Sequence, residues 1–323
     1  MTTTSPAERV IAVEEHFMQD ALSRHLGHIV ADQSPAIRDR LFDFFGIRIV
    51  EMDAAGIDMQ VLSHQSPGSQ RLPADIAVAA CRAVNDALAA TCAAAPGRFA
   101  GFAMLPTTAG AEASADELQR AVDEKGLKGA MIHGQSAGSF VDLPEYWPIY
   151  ARAERLGVPV YLHPSLPNKT VTETYYGTYA ESHPAFIRAG WGFGVETGTQ
   201  AVRMVLSGVF DRHPGLQVIL GHLGEAIPFQ LARMGEAFAR PGATTTDFAA
   251  VFRQNFHVTT SGFFSDPALR CCIEEMGVGR ILFAVDYPYV KNRDGVDWLR
   301  AFPIDEADRA RIFAGNARAL LRL

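Results

Sequence analysis

Apolar residues in this chain gather into short unbroken runs instead of alternating with polar ones. Eight such runs predict β-strands, at 10–15, 57–63, 99–105, 129–133, 158–163, 217–222, 256–260 and 281–286. Strands that lack alternation are covered on both faces, as in a parallel sheet. Most of the gaps between them carry apolar residues at helical spacing, which predicts helices at 75–95, 111–125, 143–156, 197–212, 225–240, 266–276 and 305–321. The first three stop at Pro96-Gly97, Gly126 and Gly157. Strands alternating with helices predict an α/β fold. Eight such units predict a (β/α)8 TIM-type barrel, as one domain spanning 1–323. The other arrangement is an open doubly wound sheet. No Gly-rich phosphate loop follows the first run, which disfavours it.

Two gaps exceed a simple connection. Residues 17–56 contain Arg38-Asp39-Arg40-Leu41-Phe42-Asp43-Phe44-Phe45, which predicts an inserted helix. Residues 164–196 are rich in Tyr, Gly and Pro. Both follow strand ends, so in a barrel both lie on the catalytic face. Long ordered loops there are usually functional.

Composition narrows the class. The 323 residues are 48% hydrophobic and 20% charged, which is globular. A net charge of −7 gives no electrostatic case for nucleic acid or an anionic membrane. No apolar run reads as long enough to span a bilayer, and MTTTSPAERV lacks the apolar core of a signal peptide. Cys81, Cys92, Cys271 and Cys272 form no C-x-x-C. They read as reduced core thiols of a cytoplasmic protein.

The chemistry lies where the apolar runs stop. The first ends in Glu14-Glu15-His16, and residues two apart on a strand share a face, so Glu14 and His16 reach one point. Later runs end in His163, His222 and Asp286, with His64 and His133 in equivalent places. Five of the ten histidines therefore fall at or just after strand ends, which chance placement does not favour. In a barrel these ends converge on one mouth. Carboxylates and imidazoles together suit a divalent transition metal such as Zn2+ or Mn2+. His183 reads as pocket lining, as does His133. His213 and the mid-strand His257 read as structural.

A family resemblance rests on four ordered motifs: Val13-Glu14-Glu15-His16-Phe17, Tyr161-Leu162-His163-Pro164, Gly221-His222-Leu223-Gly224-Glu225 and Phe283-Ala284-Val285-Asp286-Tyr287-Pro288. Thr259-Thr260-Ser261-Gly262 adds to it. The chain resembles the amidohydrolase superfamily, and within it the branch of aromatic acid decarboxylases. The resemblance implies that Glu14, His16, His163 and Asp286 are metal ligands. It implies that His222 stands near the metal, with Glu225 orienting it. A bridging lysine of binuclear members is missing: the fourth run ends Met131-Ile132-His133-Gly134, and Lys128 precedes the strand. One divalent ion is therefore expected. Arg233 matches a family arginine by its spacing from the Gly-His motif. Arg233, His64 and Phe17 are expected to contact substrate.

The implied reaction is metal-dependent, non-oxidative decarboxylation of a hydroxylated aromatic acid, with Asp286 as proton donor and His222 with Glu225 acting on a ring hydroxyl. The competing reading is a metal-dependent hydrolase of a lactone, ester or amide, which the same residues would serve. A catalytically silent barrel is the third, and the full ligand set argues against it. The resemblance also implies a homodimer or homotetramer.

Overall fold

The computed structural model describes residues 9–23, 25, 33–240 and 247–323. Among the described residues, nine strand segments occupy the eight predicted positions: β1 (Ile11–Phe17), β2 (Met59–His64), β3 (Phe99–Gly101), β4 (Ala103–Met104), β5 (Ala130–His133), β6 (Val160–His163), β7 (Val218–Leu220), β8 (Phe256–Thr259) and β9 (Ile281–Leu282). Every neighbouring pair is parallel. The third position is split because the chain changes partner at Phe102. Phe102 N–H donates to Leu62 O at 2.9 Å, and Ala103 N–H donates to Gly129 O at 2.8 Å. The last strand returns to the first through Val13 N–H to Phe283 O (3.1 Å), Asp286 N–H to Glu14 O (3.1 Å) and His16 N–H to Tyr287 O (2.7 Å). The sheet is thus a closed barrel, as expected.

Two apolar clusters separate inside from outside. The smaller holds Ile11, Val13, Met59, Val61, Phe102, Met131, Tyr161, Ile219, Leu282 and Ala284, with Ala314, Ala317 and Leu321 from the C-terminal segment. It fills the barrel. The larger takes the alternate strand residues, such as Ala12, Leu62, Ile132, Leu162 and Val258, and packs them against the surrounding helices. This two-sided burial is why the strands read as unbroken apolar runs. In β1 the alternation is interrupted by a register shift between Ala12 and Glu15. Such a bulge places one extra residue in the strand and re-aims the side chains after it. Ile11 and Val13 belong to the interior, and so do Glu14 and His16 after the shift.

The helices depart from their predicted bounds for local reasons. Asp266–Met276 forms as predicted. The 197–212 stretch becomes Gly192–Leu206 and Val209–Arg212, broken at Gly208, whose φ is 84°. The 225–240 stretch begins only at Ile227, with Pro228 in its first turn. The insertion predicted at 38–45 is instead two helices. Pro35–Phe42 ends at Asp43, whose Oδ1 accepts the N–H groups of Gly46 (3.1 Å) and Arg48 (2.9 Å), and Ile47–Ala55 follows. Part of the same gap, at 24 and 26–32, lies outside the described residues.

One expectation is corrected. The 21-residue helix Ala74–Ala94 is long and apolar enough to cross a membrane by composition alone. Here it lies against the barrel and buries Ala77, Cys81, Val84, Asn85, Leu88 and Thr91 along one stripe. Asn85 is tied into that face by hydrogen bonds to Met104 O and Glu117 Oε1. All four cysteines are free.

Candidate metal centre

The strand period and the barrel mouth bring Glu14, His16, His163 and Asp286 together. One ligand atom from each lies within 4.8 Å of the others. Among the described residues this is the one such cluster of His, Cys, Asp and Glu. Glu14 and His16 come from β1, His163 ends β6, and Asp286 follows β9. The first three are buried, whereas Asp286 is partly open.

The contacts within the cluster are those of a cation site. His163 Nδ1 donates to Pro164 O at 2.8 Å, which leaves Nε2 with its lone pair. That Nε2 faces His16 Nε2 at 3.0 Å. His16 Nε2 also lies 3.1 Å from Asp286 Oδ1. His163 Nε2 lies 3.3 Å from Glu14 Oε1, and Oε1 is buried without a hydrogen-bond partner among the described residues. Converging lone pairs and an orphaned buried carboxylate oxygen repel one another unless a positive charge sits among them. Two carboxylates and two imidazoles match the ligand chemistry of a first-row divalent ion. The residues present therefore fit a metal.

Electrostatics follow the same arrangement. Burial would raise the Glu14 carboxyl, but His163, His222 and His16 outweigh it and hold the group well below the usual carboxylate range. Asp286 is lowered in the same way, with burial outweighed by His16 and His222.

His222 stands at the edge of the cluster. Its Nε2 is 4.0 Å from both Glu14 Oε1 and Asp286 Oδ2, and its Nδ1 lies 2.8 Å from Glu225 Oε1. Burial would lower His222, but Glu225 and Asp286 raise it well above the ordinary histidine value. The pair is placed by an unusual turn. His222, Leu223, Gly224, Glu225 and Ala226 all have positive φ, between 49° and 79°. Left-handed backbone costs a non-glycine residue roughly 1–2 kcal/mol, and strain of this kind concentrates at functional sites. The preceding Gly221 provides room: a Cβ there would sit 2.9 Å from Glu14 Oε2.

The other expected site residues are placed differently. Phe17 is fully buried in the outer cluster against Phe44 and His64, one position out of phase with His16. Arg233 is exposed on the helix Ile227–Phe238, so the fold of one chain does not bring it into the cluster. His64 is buried, its Nδ1 donates to Gln65 O at 2.9 Å, and its Nε2 has no partner among the described residues. Burial pushes His64 down to about 4, so it is neutral at pH 7. His133 is buried with Nδ1 3.0 Å from His163 Nδ1. His183 is exposed, with Nδ1 2.9 Å from Ser182 Oγ and no place in the cluster. His213 lies 3.1 Å from Glu154 and His257 3.0 Å from Arg280, both structural contacts. Lys128 joins Gly101 O and Arg322 O, away from the cluster.

Several residues of the site are given no role by the sequence, although Glu15, Tyr161, Thr259 and Ser261 lie inside its motifs. Tyr161, Thr259 and Ser261 surround Glu14 Oε2. Ser63 Oγ lies 3.2 Å from His16 Nδ1. On the outer side of β1, Glu15 accepts the N–H groups of Val285 and Tyr287, and the buried Arg48 donates to His16 O at 2.6 Å and to Gln60 at 3.0 Å. The available signals are membership of two motifs and spacing: Tyr161 precedes His163 by two, and Thr259 precedes Ser261 by two.

A family profile described as amidohydrolase matches residues 16–323. The chain belongs to the amidohydrolase family. Among its relatives is a γ-resorcylate decarboxylase of Rhizobium sp. (strain MTP-10005), 38% identical over 97% of this chain and 98% of that protein. Solved structures are similar over 98% of this amidohydrolase, two of them decarboxylases of dihydroxybenzoic acids. One is a 2,6-dihydroxybenzoate decarboxylase complexed with 2,6-dihydroxybenzoate, at TM-score 0.88, 37% identity and 100% of that chain. The other is a dihydroxybenzoic acid decarboxylase from Polaromonas sp. JS666 with bound manganese and the inhibitor 2-nitroresorcinol, at TM-score 0.90, 36% identity and 97% of that chain.

Proposed function

We propose that this amidohydrolase is a metal-dependent carboxy-lyase that removes CO2, without oxidation, from a hydroxylated aromatic acid of the dihydroxybenzoate type. One observation carries the reading: the four-residue cation cluster and its His222–Glu225 neighbour stand intact in a chain that matches such decarboxylases from end to end.

Glu14, His16, His163 and Asp286 would hold one divalent ion, which when bound supplies an electrophile for the substrate carboxylate and its ortho hydroxyl. The manganese of the Polaromonas relative supports Mn2+ over Zn2+. The protein's own groups do the rest. His222, held by Glu225 and protonated by its acidic neighbours, is placed to donate to and orient a ring oxygen of the substrate. Asp286, the partly open member of the cluster, is ionised at rest and is placed to relay a proton to the ring carbon that loses CO2. That proton comes from His222, whose Nε2 lies 4.0 Å from Asp286 Oδ2.

Exposed aromatic residues support self-association as a homodimer or homotetramer: Tyr175, Tyr179 and Trp191 after β6, and Phe229. Light scattering that finds only monomer at micromolar concentration would overturn that part. Four free thiols support a reducing, cytoplasmic setting.

The test is turnover of 2,6-dihydroxybenzoate by the manganese-loaded protein in deuterated water, beside a panel of lactones and esters. The reading requires CO2 release and deuterium on the ring carbon that carried the carboxylate. Turnover of a lactone or ester with water oxygen in the product, and no ring deuterium from the acid, would replace it with a hydrolase.

A further inference from the structure

The two oxygens of Glu14 have opposite surroundings. Oε2 is met by three hydroxyls: Tyr161 and Ser261 donate to it, and Thr259 Oγ1 lies 3.3 Å away. The hydroxyls also bond among themselves, with Tyr161 Oη 2.9 Å from Thr259 Oγ1 and 3.3 Å from Ser261 Oγ. Oε1 has no hydrogen-bond donor among the described residues and faces His163 Nε2. A carboxylate oxygen offers about two lone-pair sites, so Oε2 is fully engaged by protein.

The strand period builds this asymmetry. Tyr161 lies two residues before His163 on β6, and Thr259 and Ser261 lie two apart at the end of β8, so all face the barrel interior. The hydroxyls thus form a layer directly below the cation ligands. Tyr161 is fully buried and packs edge-on against Phe102 at 5.8 Å, which fixes its ring.

We propose that Tyr161, with Ser261 and Thr259, is a positioning set that restricts Glu14 to a single ligand oxygen and so makes the site select a small transition-metal cation over Ca2+. The inference rests on the metal-site reading above. Ca2+ takes six to eight oxygen ligands and commonly fills that larger number with carboxylates that give both oxygens. Turning Glu14 to offer both would strip Oε2 of its donors and leave three buried hydroxyls short of an acceptor. Mn2+ needs no second oxygen from Glu14, because one oxygen with two imidazoles and Asp286 leaves its remaining positions to water or substrate.

The test titrates metal-free protein with Mn2+ and with Ca2+ in competition with a fluorescent chelator, without substrate. Wild type, Tyr161→Phe, Tyr161→Phe/Ser261→Ala and the conservative Thr259→Ser are compared, with thermal unfolding as the check on folding. Loss of partners behind a metal ligand costs about 10–100-fold in affinity. Mn2+ binding should weaken by that factor in both Tyr161 variants while Ca2+ binding holds or tightens, so the Mn2+/Ca2+ affinity ratio falls at least about tenfold. Thr259→Ser should keep the wild-type ratio. Tyr161→Phe removes one oxygen atom only and decides the matter if the double variant does not fold. A ratio unchanged in Tyr161→Phe, with both ions weakened equally or neither, would overturn the lock while leaving the metal site standing. Wild-type protein that takes up no Mn2+ would overturn the metal reading, and this inference with it.

Discussion

The carboxylate of Glu15 accepts the backbone N–H of Val285 at 2.8 Å, joining residues 270 positions apart. Its other oxygen accepts Tyr287 N–H at 3.2 Å. Glu15 therefore closes the seam between the first and last strands from the helix side. Glu15→Ala leaves two buried N–H groups without acceptors, at roughly 1–3 kcal/mol each. Urea unfolding of the metal-free variant should show a loss of about 2–6 kcal/mol. Unchanged stability would mean that the backbone ladder holds the seam alone.

His163→Ala should lower metal content sharply. The imidazole supplies the Nε2 that lies within reach of both His16 and Glu14. Removing one of four ligands opens a small site to water. Elemental analysis of purified protein should give one metal per chain for wild type and well under half for the variant. Equal content in the two proteins, or two metals per wild-type chain, would contradict the assignment.

Asp286→Asn keeps an oxygen at the cluster but removes the acid, because an amide is not a proton donor of comparable strength. General acid catalysis contributes about 10²–10⁴-fold. The variant should retain part of its metal and lose decarboxylation by at least that factor, with the ring-deuterium signal lost in proportion. Activity within tenfold of wild type would move the proton-donor role elsewhere.

Acid stability should depend on His257. Burial and the neighbouring Arg280 push this imidazole from 6.5 down to about 3. The folded state keeps it neutral while the unfolded chain protonates, so stability present above about pH 6.5 is lost as pH falls toward 3. Between pH 7.5 and 5 the loss amounts to about 2 kcal/mol. His257→Gln should show a correspondingly shallower fall over that window, whatever its stability at pH 7.5. Parallel curves for the two proteins would show that His257 does not titrate with unfolding.

The barrel is legible in the sequence because each strand is buried on both faces, which leaves an apolar run stopped by a polar end. For the same reason Glu14, His16, His163 and Asp286 stand out, since ionisable groups at the end of apolar runs are conspicuous. Tyr161, Thr259 and Ser261 fall inside the motifs but their role is not legible, because a hydroxyl beside an apolar run is ordinary in any core strand. Arg48 is hidden for a different reason. A fully buried arginine, stacked 4.6 Å from the Tyr287 ring, is rare enough that no pattern anticipates it. The left-handed turn at 222–226 is equally silent, since four of its five residues are not glycine and none signals positive φ. Phe17 belongs to the first motif by position, but its phase along the strand puts it on the outer face.

The bulge in β1 separates two jobs that the sequence writes side by side. Strict alternation from Ile11 would have sent Glu15 inward and Glu14 outward, and the extra residue reverses that. One glutamate now belongs to the mouth and its neighbour to the wall. Position 14 is therefore free to vary with the chemistry of the reaction, without reopening the barrel that position 15 keeps shut. A lineage could exchange one cation-binding group for another there and inherit the same closed scaffold.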